Sequence, residues 1–205
     1  MKPILLDLPF PIITPRLLLR PPIIGDGLEL NTAIVESFDI LHQFLSWAKL
    51  KPTLDESEEF IRRAIASWVL LNGTDEPWLP LFIFDKKSHE LVGASGFFNV
   101  NWDIPSVEIG YWVRTKYANF GFMTEAINAI TQYAFKQLHV KRMVISCDKD
   151  NTQSQKVAQR LNYNFEAVLK MHRIKPITGQ ISDTLIYTRH DLEGLPPLNV
   201  VFHKI

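Results

Sequence analysis

Hydrophobic residues recur along this chain with two different periods, and the change of period divides it. The segment RLLLR (16–20) reads as a strand that stops at Pro21-Pro22, because proline has no N–H to give to a ladder. From there to about residue 71 the spacing is helical: Leu28, Ile34, Phe38, Leu41, Phe44 and Leu45 share a stripe. A second helix is predicted over 55–71, with acidic residues in its first turn and Asn72-Gly73 at its end. Beyond Trp78 the period shifts to two. Residues 79–85, 90–100 and 106–113 are predicted strands, separated by the turn-forming segments KKSH and NWDIP. A helix over 121–138, a strand over 141–148, a short helix over 152–161 and strands over 165–173 and 183–190 follow. The tail DLEGLPPLNVVFHKI carries no period and is expected to pack irregularly on the surface.

This order predicts an α/β fold, a mixed central sheet flanked by helices. No internal repeat or long linker interrupts it, so one domain over 1–205 is expected. Composition narrows the class. The chain is 46% hydrophobic and 21% charged, with Lys plus Arg equal to Asp plus Glu at 22 each. Zero net charge argues against nucleic acid as the main partner. The N-terminal apolar run is too short for a signal peptide and no run is long enough to span a membrane, so a cytoplasmic protein is expected. Cys147 is the sole cysteine and alternates with Met143 and Ile145, which marks it as a core residue rather than a nucleophile. The six histidines form no metal-ligand spacing, so no metal is expected. His172 and His190, on the last two strands, are expected to approach each other as a structural pair.

The stretch YWVRTKYANFGFMTEAINAITQYAF (111–135) joins a strand to a helix through a loop with one glycine. A helix N-terminus presents unpaired N–H groups and the positive end of its dipole, so it favours an anion. Gly121 lets the backbone approach closely, and Asn119 tolerates a positive φ. Neither the P-loop nor the dinucleotide glycine spacing is present, and a single glycine also fits an ordinary strand-to-helix loop.

The segments VEIGYWV, TEA and DKDNTQSQKVAQRLNYNFEA resemble the GNAT acetyltransferase superfamily, and the TPRLLLRPP start and ISDTLIYTRHD finish extend the resemblance over nearly the whole chain. The nearest branch is the ribosomal-protein N-terminal acetyltransferase (Rim) type. The resemblance implies a GNAT fold with a pyrophosphate-binding loop before the central helix, acetyl-coenzyme A as cosubstrate, and an amine acceptor such as a protein N-terminus. The family loop [QR]-x-x-G-x-[GA] falls on Ala118, Gly121 and Met123, of which only the glycine matches. Cofactor contacts are therefore expected from Ala118, Asn119, Phe120, Gly121, Phe122, Met123 and Thr124, provided that the Met123 side chain points away from the phosphates. Arg114 and Lys116 are the expected sources of positive field.

A second family pattern falls on Asn151, Ser154, Val157, Arg160, Asn162 and Tyr163. Asn162 replaces a glycine at the helix C′ position, where Asn is the next best residue for left-handed geometry. Ser154 resembles the residue that protonates the thiol. Asn151 is expected to orient the same end, and Arg160 could reach the adenine-side phosphate; a helix cap and a solvated basic face are their structural alternatives. The 106–113 strand could bind the pantetheine arm, with N–H groups of Tyr111, Trp112 and Val113 polarising the carbonyl. Glu108, on the strand face of Gly110 and Trp112, is the first candidate base and Glu166 the second; a surface or salt-bridged carboxylate is the alternative for Glu108, and a solvated strand residue for Glu166. Trp47, Trp68 and Trp78 come from the segment that would line the acceptor cleft in the resembling family; most are expected in the core, with one at the rim able to pack against a substrate. Two rivals stay open: a coenzyme A-binding module without turnover, and an acetyltransferase for a small amine. A homodimer is also left open.

Overall fold

A computed structural model describes residues 3–71 and 78–203; the Asn72-Gly73 turn lies outside them. Among the described residues, nine strands form one sheet in the order β7-β8-β6-β5-β4-β3-β2-β1-β9. The strands are β1 (Ile12–Ile13), β2 (Leu17–Arg20), β3 (Leu79–Asp85), β4 (Leu91–Asn101), β5 (Ser106–Val113), β6 (Arg142–Asp148), β7 (Asn164–Ile174), β8 (Ile181–Arg189) and β9 (Val201–Phe202). The α-helices that cover it, among the same described residues, are α1 (Gly27–Phe44), α2 (Leu54–Leu70), α3 (Phe122–Lys136) and α4 (Thr152–Arg160). All neighbouring strands run antiparallel except β5 and β6, the pair joined by the α3 crossover. The mixed sheet flanked by helices is thus as expected, with boundaries moved by a residue or two.

Helix starts follow local chemistry. Thr53 and Glu56 form a reciprocal capping box at α2. At α4 the Asn151 side chain accepts from Ser154 N–H. That helix ends with Asn162 at φ 53°. Asn162 N–H donates to Gln159 O and Tyr163 N–H to Ala158 O, at 3.0 Å each, which closes a Schellman motif.

The core lies on one face of the sheet. Ala126, Ile127, Ala129, Ile130, Tyr133 and Ala134 of α3 are fully buried against Val107 and Ile109 of β5 and Met143 and Ile145 of β6. Cys147 joins them, as its alternation predicts. The other face packs α1 and α2 over Phe82, Phe84, Leu91 and Ala94, with Trp112 at the margin.

Two expectations need correction. The tail is not wholly irregular: Val201 and Phe202 pair with β1 to become the last strand, and Phe202 sets its ring edge-on to Tyr133 at 5.4 Å. His172 and His190 do not meet. His172 Nδ1 lies 3.1 Å from Thr184 Oγ1, whereas His190 Nε2 lies 3.3 Å from Arg142 Nη1. The antiparallel hairpin separates them: His172 lies near its turn, next to the Arg173↔Ser182 pair, whereas His190 follows the last residue of β8 at the opposite end.

Candidate active site

The loop ahead of α3 adopts the backbone that its asparagine and glycine allow. Asn119 has φ 68° and Gly121 has φ 78° and ψ 3°, both left-handed. Gly121 caps α3 without a side chain. Among the described residues, the N–H groups of Gly121, Phe122, Met123 and Thr124 donate to no protein acceptor; the first bond of the helix is Glu125 N–H to Gly121 O at 3.1 Å. Four donors at the positive end of a fifteen-residue helix suit an anion.

Met123 leaves that mouth open. Its side chain is only 8% exposed and belongs to the central core cluster. Outside the loop lies a cleft of about 510 Å³, lined by Asn119, Phe120, Gly121, Thr124, Arg160 and, from the tail, Pro196–Leu198. The loop and Arg160 thus line one cleft. The tail was not anticipated here. It is held against α3 by Asn128 and Gln132, whose side-chain amides donate to Pro196 O and Leu198 O.

The cation that reaches the loop is an unexpected one, itself paired with Glu125. Arg114 is buried in an ion pair with Glu36 of α1, and Lys116 is paired with Glu90 at 2.6 Å, so both are engaged elsewhere. Instead Arg16, at the start of β2, donates from Nη1 to Phe120 O at 2.9 Å and from Nε to Glu125 Oε2 at 2.5 Å. Its guanidinium also lies over the Phe122 ring, 4.4 Å from the centroid. Ala118 ends the preceding 3-10 turn and contributes only backbone.

Further along, β5 and β6 part. Their ladder runs from Ser106↔Arg142 to Ile109↔Ile145 and ends there, although β5 continues to Val113 and β6 to Asp148. The 110–113 edge thus faces a gap with its backbone free on that side. Alternation sends Tyr111 to the α3 face, as expected, and its hydroxyl lies 2.9 Å from Ser154 Oγ and donates to Ser154 O at 3.2 Å. Burial pushes the Tyr111 phenol well above its ordinary range, so it stays a neutral donor. Burial also pushes the Cys147 thiol up to about 11, against the influence of a hydrogen bond with Ser154. Trp112 turns to the opposite face and packs towards α1 and α2. Val113 packs on the central core.

Glu108 lies on that opposite face, next to the last ladder pair. Asn99 Nδ2 donates to its Oε2 at 2.9 Å and Ser146 donates to Oε1. Asn99 reaches it because β4 bulges between Phe98 and Asn101, with Asn99 itself at φ 49°. Glu166 is held differently. It forms a bidentate pair with Arg142 and accepts from Thr188 Oγ1 at 2.9 Å. The Arg142 hydrogen bonds, then that of Thr188, pull its carboxyl down to about 2, which leaves little proton affinity for a base. Of Trp47, Trp68 and Trp78, expected mostly in the core, only Trp68 is packed inward, with Nε1 donating to Pro80 O at 2.7 Å; Trp47 and Trp78 are exposed instead. Among the described residues no cluster of three His, Cys, Asp or Glu could hold a metal ion, and no helix is long and apolar enough to cross a membrane.

This arrangement can do one kind of chemistry well. It offers donors that suit an anion, a strand edge beyond the end of the β5–β6 ladder, a hydroxyl pair at one side of the gap and a carboxylate at the other. Residues 16–164 match the acetyltransferase (GNAT) domain model. The chain is 28% identical over 149 residues to the ribosomal-protein-serine acetyltransferase of Escherichia coli (strain K12), covering 73% of this chain and 78% of that protein. The structure of a RimL-type ribosomal alpha-N-protein acetyltransferase in complex with coenzyme A superposes with a TM-score of 0.77 at 22% identity, over 88% of this chain and 97% of that one. The microcin self-immunity acetyltransferase MccE, solved with acetyl-CoA and AMP, is 26% identical with a TM-score of 0.75, over 86% of this chain and 93% of its own.

Proposed function

The chain belongs to the GNAT acetyltransferase family, and from that premise we propose that it moves an acetyl group from acetyl-coenzyme A to the α-amine of a protein N-terminus. The observation that carries the reading is the mouth of α3: four N–H groups without protein acceptors, a left-handed Gly121, and Met123 turned into the core. Those donors are the proposed seat of the diphosphate, with Arg160 towards the adenine end of the cleft. The 110–113 edge takes the pantetheine arm by strand-like hydrogen bonds, and its N–H groups polarise the thioester carbonyl.

Transfer forms a C–N bond and breaks a C–S bond in a ternary complex. The amine must lose a proton and the departing thiolate must gain one. We assign the first to Glu108 acting through water and the second to Ser154, which gives its hydroxyl proton to sulfur and regains one from water, while the neutral Tyr111 hydroxyl holds it in place. Glu166, locked to Arg142, is not assigned a proton-transfer role. An α-amine titrates near 7.7–8.0, so about a fifth to a third is already neutral near pH 7.4, and a weak base suffices. The similarity to ribosomal-protein acetyltransferases is what favours a protein N-terminus over a free amine.

Free-thiol release tests the reading: the protein is mixed with acetyl-coenzyme A and a panel of N-terminal peptides and small amines. Release with peptides is the expected outcome. Tight cofactor binding without release, or release confined to small amines, contradicts it.

A further inference from the structure

We propose that Arg16 is a positioning residue for the phosphate-binding loop, taking the place of the polar residue that Ala118 lacks. The inference rests on the acetyl-coenzyme A reading above and adds to it a residue from the far end of the chain.

Three contacts fix the Arg16 guanidinium. It donates to the Phe120 carbonyl, pairs with the Glu125 carboxylate and lies over the Phe122 ring. In a trans peptide the carbonyl and the following N–H point in opposite directions. Because Phe120 O faces Arg16, Gly121 N–H faces away from it. Glycine tolerates either orientation of that peptide, and a flip would turn a carbonyl oxygen towards the anion seat. Arg16 holds the orientation that offers a donor.

The second consequence is electrostatic. The Glu125 side chain is only 9% exposed and sits in the first turn of α3, beside the proposed diphosphate. Unpaired, that carboxylate would repel an anion at short range and in partial burial, where screening is weak. It is held by Arg16 Nε, by Arg16 N–H at 3.0 Å and by Thr14 Oγ1 at 2.6 Å. Thr14 Oγ1 also accepts from Leu17 N–H at 2.9 Å, which ties the network to the turn between β1 and β2. Glu125 anchors Arg16, and Arg16 cancels the charge that the anchor introduces.

Calorimetric titration of wild type, Arg16→Gln and Arg16→Lys tests this, with two ligands: acetyl-coenzyme A, and adenosine 3′-phosphate 5′-diphosphate, which keeps the diphosphate and lacks the arm. Wild type should bind both. Arg16→Gln should weaken both by the same factor, on the order of tenfold or more, because the lost interaction acts on the phosphates. Arg16→Lys should recover part of the loss, since it restores the charge but not the fork that serves Phe120 and Glu125 together. Unchanged affinities in both variants would overturn the proposal. So would a much larger loss for acetyl-coenzyme A than for the fragment, which marks general collapse of the cleft. If wild type itself binds neither ligand, it is the cofactor reading that falls, and the two failures are thereby told apart.

Discussion

Ser154 and Glu108 flank the gap between β5 and β6 from opposite faces of the sheet, and their predicted losses differ. Ser154→Ala removes the proposed donor to sulfur and should lower kcat on the order of a hundredfold. Its affinity for acetyl-coenzyme A, read by calorimetry, should stay near wild type, because Tyr111 keeps its bond to the Ser154 carbonyl. Glu108→Gln should lower kcat/KM for the amine acceptor, because the departing amine proton loses its acceptor. Glu166 makes a prediction about stability instead. Its folded pKa, about 2, lies below the ordinary 4.5. The Arg142 pair therefore stabilises fully above about pH 4.5, and the contribution fades as pH falls towards 2. Acid unfolding should show Glu166→Gln less stable than wild type at pH 6, by a small amount because both side chains are over a third exposed or nearly so, with the gap closing below pH 4. What the sequence revealed at this scale was local: Asn119, Gly121 and Asn162 occupy the left-handed backbone that their residue types permit. Arg16 was missed because its partners lie more than a hundred positions away, at Phe120 and Glu125. A strand-like RLLLR carries no sign of that distance.

The elements separate two left-handed positions that look alike in sequence. Gly121 opens α3 and Asn162 closes α4. A β-carbon costs about 1–2 kcal/mol in that conformation, so Gly121→Ala and Asn162→Val should each lower Tm by a few degrees. Only Gly121→Ala should also weaken acetyl-coenzyme A binding, because Asn162 is engaged with Gly194 O and offers nothing to the phosphates. Equal binding losses in both variants would argue against the loop as the anion seat. Long periodic elements were legible: α2, β3, β5 and α3 fall within a residue or two of the expected spans. Strands β1 and β9, two residues each, were not, since so short a run has no period to read. The β4 and β7 bulges went unread because a bulge is defined by two residues opposing one, and the pairing partner is not given by the strand's own sequence.

At the scale of the whole molecule, the sheet does the positioning. One parallel pair sits among antiparallel neighbours, and the strands of that pair separate just where the loop and α3 begin. The βαβ crossover that makes them parallel also brings the α3 N-terminus to the same end as the gap. Element order made this architecture readable; the cleft wall built by the tail was not, because DLEGLPPLNVVF has no period and its role depends on Asn128 and Gln132 of α3. Acceptor choice stayed unreadable for a similar reason, since it resides in surfaces that folding assembles from separate segments. The central claim is that bare amides at the mouth of α3 hold a diphosphate. Backbone amide NMR during titration with coenzyme A addresses it most directly. The account predicts that the Gly121, Phe122, Met123 and Thr124 amide protons move downfield and saturate together. Saturable binding that leaves those four resonances in place would contradict it.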